Sequence, residues 1–433
     1  MVGPRDDTTC MLKQLQQIWY VKEVRNNVLF VLGLLLLFRL AAHIPLPGVN
    51  LPELKNLFAS NQILGLLNLL SGGGITNFSV MALGVGPYIT ASIILQLLTM
   101  LVPKLEELSK EGEYGQQKIN QYTRLLTVPL ALFQSYGLIT LLRRSSRPIF
   151  GLLTTFDLAT TIIVMSAGCL FLMWLGEIIS ERKIGNGISI LIFVGIVTGL
   201  PQALSQTVAT FDTTQVFNLL VLIVLGLITI AGIVVITQGQ RNVPVTYARQ
   251  MRGTHTVGGT NTYLPIRVNQ AGMIPIIFAI SMILFPPLLA QFFLHAKSGA
   301  LVAAANWVIN IFQNQLFYGV LYFVLVFLFT YFYTSIIFRP DRIAENLQKQ
   351  GGFIPGIRPG VPTAQYLQQI SNRIMLAGAA SLGVIAVLPL ITQQWLGIQT
   401  LVIGGAGLLI VVGVVIDIAN QIQTQLMMRQ YEV

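Results

Sequence analysis

The stretch Asn77-Phe78-Ser79-Val80-Met81-Ala82-Leu83-Gly84-Val85-Gly86-Pro87-Tyr88-Ile89-Thr90-Ala91-Ser92, with Gln96 one turn further, decides how this chain is read. Continued to residue 101 it holds no charged side chain, and a helix needs about 20 mainly apolar residues to cross a bilayer. Small and hydroxylic residues nevertheless gather on one of its faces. A second stretch, from Asn269 and Gln270 through Gly272, Pro275 and Ser281, has the same character. Small residues let helices pack closely. Two spans that are each opened by Asn and interrupted by Gly and Pro also point to a seam that is wet or movable, because broken helices persist at membrane depth where they line a cavity.

Working outward, apolar runs recur at 28–44, 77–101, 123–142, 157–178, 187–204, 216–237, 271–293, 316–338, 374–391 and 398–420, which predicts ten spanning helices. The run Ile63 to Leu70 is too short to cross and ends in Ser71-Gly72-Gly73-Gly74, so it reads as a short helix or a re-entrant piece. The whole chain agrees with this: of 433 residues 54% are hydrophobic and 10% charged, where soluble domains carry about 25% charge. A secreted enzyme, a disordered scaffold and a disulfide miniprotein are excluded. Cys10 and Cys169 lie far apart and support neither a disulfide framework nor a metal cluster. The first 25 residues mix charges with short apolar clusters and show no cleavable signal peptide, so insertion is expected to rely on the first span.

An even number of spans puts both termini on one side. With that side cytoplasmic, 20 of the 26 Lys and Arg residues are cytoplasmic, and only Arg39, Lys55, Arg143, Arg144, Arg147 and Lys297 are not. The positive-inside rule therefore favours both termini in. Ten spans divide into two sets of five, and an odd-numbered half repeats upside down, an arrangement that places a pathway at the interface of the halves.

Ionisable groups within the spans are few. Arg39, His43, Glu177 and Asp417 all lie near span ends and read as interfacial anchors that snorkel towards water. No mid-membrane coupling residue of the kind found in ion-driven carriers is present. His43, His255 and His295 fall in separate loops, and neither a zinc-binding spacing nor a phosphate-binding glycine loop occurs, so no enzyme, metal or cofactor is expected. Energy for uphill movement would come from a partner.

The charges collect in two cytoplasmic loops. Loop 238–270 holds Arg241, Arg249, Arg252 and Arg267 and no acidic residue. Loop 339–373 holds Arg339, Arg342, Lys349, Arg358 and Arg373 against Asp341 and Glu345, with a Gly/Pro-rich stretch from Gly351 to Pro362. Basic loops can serve orientation or anionic lipid alone. Length and purity of sign suit a large polyanion, either ribosomal RNA or an acidic protein surface.

Several motifs resemble one family. They are Gly84-Val85-Gly86-Pro87-Tyr88-Ile89-Thr90-Ala91-Ser92-Ile93-Ile94 with Gln96-Leu97-Leu98, Lys110-Glu111-Gly112-Glu113, Gln121-Tyr122-Thr123-Arg124, Ile184-Gly185-Asn186-Gly187-Ile188-Ser189 and Gly239-Gln240-Arg241. Leu264-Pro265-Ile266-Arg267-Val268-Asn269, Ala271-Gly272-Met273-Ile274-Pro275, Phe353-Ile354-Pro355-Gly356-Ile357-Arg358-Pro359-Gly360 and Gln421-Ile422-Gln423-Thr424 continue the series in order. Together they resemble the SecY family of bacterial-type or plastid-type protein-conducting channels.

The resemblance implies an all-α polytopic membrane protein of ten spans in two inverted five-helix halves, 28–204 and 205–420, around an hourglass pore. A cytoplasmic segment 1–27 and a tail 421–433 flank them. An apolar pore ring falls on Val85, Ile89, Ile188, Ile192, Ile277 and Ile410, with Val85 where bacterial relatives commonly have Ile. The plug falls at about 56–75, on Ile63, Leu64, Leu66, Leu67, Leu69, Leu70, Gly72 and Gly73. A lateral gate between spans two and seven takes Asn77, Ser79, Thr90, Ser92, Gln96, Asn269, Gln270 and Ser281. Docking of a ribosome or a motor falls to Arg241, Arg249, Arg252, Arg339, Arg342 and Arg358, the last of which is otherwise a structural tie between loops. The implied partners are SecE, SecG, the SecA motor ATPase, the ribosome, signal sequences, nascent chains and membrane lipids. The implied site is the cell inner membrane or the thylakoid. A secondary transporter of a small solute is the competing reading.

Overall fold

The computed structural model describes residues 21–54, 68, 71–143, 149, 154–209, 216–247, 250–252, 255–257, 261–294, 298–396 and 405–430. They fall into two compact units, 1–211 with 280–314 and 400–433, and 212–279 with 315–399.

The first unit begins with α1 (Lys22–Ala42), followed by α2 (Gly86–Leu101), α3 (Pro103–Lys110), α4 (Glu113–Arg143), α5 (Thr155–Glu181) and α6 (Gly187–Ala209). It later takes in α9 (Gly299–Gln313) and α13 (Gly405–Gln430). On α1, Leu29, Leu32, Leu36 and Leu40 form one exposed stripe, with Leu36 63% and Leu40 64% accessible. Spacings of three and four put them on one helical face, and such an apolar surface fits a lipid or protein neighbour rather than water. Helix α5 starts at a capping box: the Asp157 amide donates to Thr154 Oγ1 at 3.3 Å, and the Thr154 amide donates to Asp157 Oδ2 at 3.0 Å. Such reciprocal bonds satisfy orphan donors at a helix start. Packing runs α2 on α4, α4 on α5, α5 on α6 and α6 on α13. Between α2 and α3 the chain bends by 101°. Val102 is extended and Pro103 opens the next helix, the conformation forced on a residue before proline.

The second unit contains α7 (Val216–Gln238), α10 (Gln315–Ile337), α11 (Pro340–Lys349) and α12 (Val361–Leu396). Helix α12 packs against α7, α10 and α11. Between α7 and α8 (Ile274–Phe293) the loop forms β1 (Gln240–Tyr247), β2 (Gln250–Arg252), β3 (His255–Val257) and β4 (Asn261–Arg267). Strand β5 (Gly352–Phe353) completes a sheet of order β4-β1-β5. β1 and β4 are antiparallel with Arg241 opposite Ile266 and Val243 opposite Leu264, and Val243 and Val245 turn inward while Asn242 and Pro244 face water, as the period of two demands.

Each of the ten apolar runs overlaps a helix. Among the described residues six helices are long and apolar enough to cross a membrane, or seven if the bent α2–α3 pair counts as one broken span. Two features differ from the sequence expectation. The second span is helical only from Gly86, because Phe78 and Gly84 have positive φ (41° and 58°) and hold 71–85 in successive turns. Helix α9 was not expected, as its 15 residues are too few to cross.

Candidate functional site

Val85 caps the N-terminus of α2, and the turns before it are pinned from two sides. The Leu46 amide donates to the Phe78 carbonyl oxygen at 2.9 Å, and the Val80 amide donates to that of Ile44 at 3.1 Å. Buried Ser79 donates from Oγ to the Gly74 carbonyl oxygen at 3.2 Å and accepts the Met81 amide at 3.2 Å. Around them Leu46, Leu54, Ile75, Phe78, Leu138, Ile139, Leu142 and Met165 form one apolar cluster.

The ring residues sit on α2 (Val85 at its cap, and Ile89), α6 (Ile188, Ile192), α13 (Ile410) and α8 (Ile277). All are buried except half-buried Ile188. Five belong to the first unit and Ile277 to the second. Of the plug residues, Ile63, Leu64, Leu66, Leu67, Leu69 and Leu70 lie outside the described residues. Gly72 and Gly73 occupy a turn with φ of 67° and 81°, a region open to glycine at little steric cost.

Among the gate candidates, Thr90 Oγ1 donates to the Gly86 carbonyl oxygen at 3.1 Å and accepts Gln134 Nε2 at 3.5 Å, while Gln96 Nε2 reaches Ser92 Oγ at 3.4 Å. Asn77 is half-buried. Buried Asn269 donates from Nδ2 to the Gly272 carbonyl oxygen at 3.3 Å. Its Oδ1 and the Nε2 of Gln270 are buried with no partner among the described residues. Ser281 lies within α8. Gln134, absent from the sequence-based set, emerges only through its contact with Thr90. An isolated Gln in an apolar run was its one sequence signal.

The two basic loops form one body. Val243, Val245, Ile266, Leu347, Ile354, Leu367 and Ile370 share a single core that ties β1 and β4 to α11, β5 and α12. Thr246 pairs with Phe353 and Tyr247 with Gly352. Arg241, Arg342 and Arg358 are exposed on this platform and Arg339 is half-buried. Arg252 is on β2, and Arg249 lies outside the described residues. Thr363 Oγ1 donates to the Arg358 carbonyl oxygen at 2.8 Å, which anchors the backbone and leaves the side chain exposed. Lys349 Nζ stands 2.8 Å from Glu345 Oε1, and this bond holds the Glu345 carboxyl below the usual carboxylate range. The pair cancels one charge of each sign, and the field of the platform stays positive because the two loops hold nine Lys and Arg residues against two carboxylates.

Two polar side chains expected to anchor at the interface are engaged inside the first unit instead. Glu177 Oε1 accepts Arg124 Nε at 2.6 Å, joining α5 to α4, and Arg39 donates to main-chain carbonyl oxygens.

A family model described as SecY matches residues 79–419. The chain belongs to the SecY family. Within the family it is similar to the protein translocase subunit SecY of Mycobacterium tuberculosis (strain ATCC 25618 / H37Rv), 45% identical over 432 residues that cover 95% of this chain and 96% of that one. The Streptomyces coelicolor protein of the same name is 41% identical over 440 residues, covering 98% and 99%. Among solved structures, "The structure of a protein conducting channel" matches with a TM-score of 0.63 at 16% identity over 91% of this chain and 90% of that one. "Sec61 in the Canine ribosome-channel complex from the endoplasmic reticulum" matches with a TM-score of 0.59 at 16% identity over 91% and 90%. Both show that the fold is that of the SecY and Sec61 channels. A SecY-family chain with several apolar spans is a multi-pass membrane protein, and the small-solute carrier finds no support.

Proposed function

We propose that this chain is the channel subunit of a protein translocase, conducting unfolded precursors across the membrane and releasing apolar segments sideways into it. The family match across residues 79–419 carries this reading. The ring of Val85, Ile89, Ile188, Ile192, Ile277 and Ile410 is the constriction. An aliphatic constriction dewets and so blocks ions, while its side chains yield to a passing chain of any sequence. The segment at about 56–75 is the plug. Asn77, Ser79, Thr90, Ser92, Gln96, Asn269, Gln270 and Ser281 lie along a lateral gate between spans two and seven. There the apolar core of a signal sequence, about 7–15 residues long, partitions towards lipid while its charged flank stays in water.

The halves 28–204 and 205–420 open about a hinge between them, with both termini in the cytoplasm of a cell that carries the complex in its inner membrane. Arg241, Arg249, Arg252, Arg339, Arg342 and Arg358 receive the ribosome or the SecA motor, as fits an exposed cationic platform facing a polyanion. SecE and SecG complete the complex. Reconstitution with SecE, SecA and ATP in vesicles tests the proposal: a precursor becomes protected from added protease. Absence of protected precursor while SecA hydrolyses ATP in the same vesicles would sink it.

A further inference from the structure

The glycine turn that follows the short apolar run is held by one cationic side chain. Arg39, in the last turn of α1, donates from Nη1 to the Gly72 carbonyl oxygen at 3.1 Å. Its Nη2 donates to the carbonyl oxygens of Val194 at 2.8 Å and Gly195 at 3.4 Å, 155 and 156 residues away. The guanidinium thus bridges the turn 71–74 and helix α6.

The backbones meet at the same place. A Cβ built on Gly195 would overlap the Gly72 Cα, and one built on Gly72 would stand 3.0 Å from Cζ of the buried Phe38 ring. Gly72 has φ +67°. Glycine at both positions is what lets the turn lie against α6. A snorkelling arginine carries its head group into water, whereas this one spends two nitrogens on main-chain carbonyls of two separate elements. Its Nε is buried and has no partner among the described residues. A buried donor left unpaired is a cost that another arrangement can relieve, so the bridge is strong but not fully satisfied, as a releasable tie should be.

We propose that Arg39 is a positioning residue that latches the turn 71–74 to α6 and so biases the idle channel towards its closed state. This rests on the plug reading above. Arg39 touches no substrate. It acts through Gly72, and a ligand that favours the open channel must outweigh it.

The test uses the complete complex in planar bilayers and vesicles, with four variants: R39Q, R39K, a deletion of residues 63–70, and R39Q combined with that deletion. R39Q should raise the open probability of idle channels roughly tenfold or more, the shift from losing a charge-assisted hydrogen bond. It should also admit a precursor whose signal sequence has been shortened. R39K keeps the charge but cannot reach both elements at once, and should fall between wild type and R39Q. The deletion should leak by itself, and R39Q should add nothing to it.

Wild-type conductance in R39Q beside a leaking deletion overturns the latch and leaves the plug standing. A deletion that does not leak overturns the plug reading, and the latch with it. A further rise in the combined variant shows general damage to the packing of α1 and α6, which also overturns the latch. If R39Q does not assemble, R39K serves instead, because it keeps the charge but not the bridge to both elements. Leakage in R39K that adds nothing to the deletion of residues 63–70 supports the latch, and wild-type conductance in R39K overturns it.

Discussion

Gly168 on α5 and Val80 in the turn before α2 approach so closely that a Cβ at Gly168 would overlap the Val80 carbonyl oxygen. The turn that aims Val85 therefore rests directly on the backbone of α5. Gly168→Ala must push this turn away, at a cost of about 1–3 kcal/mol, typical of overpacking. Thermal unfolding of the purified complex should show lowered stability, and idle conductance should rise with it. Unchanged values of both would show that the turn is free to move.

Polar substitution in the ring should wet it. Ile192→Asn and Ile410→Asn should each raise the ion conductance of idle channels several-fold while leaving precursor transport intact, since the chain passes a wider and wetter opening just as well. Val85→Ile should keep the seal. Single-channel recording at fixed voltage reads all three, and wild-type leakage in both Asn variants would remove those positions from the ring.

Arg358 is exposed and its backbone is anchored separately through Thr363. Arg358→Glu should therefore leave stability within about 0.5 kcal/mol of wild type, as for most surface substitutions, yet lower SecA-driven transport several-fold. The residual docking should weaken further as salt is raised. Transport at the wild-type rate would exclude Arg358 from the docking surface.

Leu367 is fully buried in the core that joins the two basic loops. Leu367→Ala should cost about 2–5 kcal/mol locally. The loops should become protease-sensitive and docking through Arg241 and Arg358 should weaken together, with idle conductance unchanged. Loss of only one loop's contribution would show that the platform is not a single cooperative body.

Much of this fold was legible in the chain. Hydropathy is a local property, and about 20 consecutive apolar residues leave few alternatives to a spanning helix, so every long run overlaps a helix. The start of α2 was not legible, because residues 77–85 are as apolar as a helix requires. Pairing with 44–46 and the positive φ of Phe78 and Gly84 hold them in turns instead. Gln134 and Arg39 were hidden for the same reason: a polar residue in an apolar run shows that it needs a partner but not which one it has. The strand through Val243 and Val245 was not read from the basic loop, and nothing local announced that it would pair with Gly352–Phe353, more than 100 residues on.

The amino-acid sequence by itself determined the solvent of this protein, the places where its chain crosses that solvent, and the family whose motifs it carries, because these follow from composition and order along the chain. Only the tertiary structure decided that the two arginine-bearing loops share one core, that Gly168 supports Val80, and that Arg39 closes on Gly72 and Val194 rather than reaching for water. Each is a contact between distant segments, set by which backbones can approach closely enough to exclude a side chain, and such approach is a property of packing.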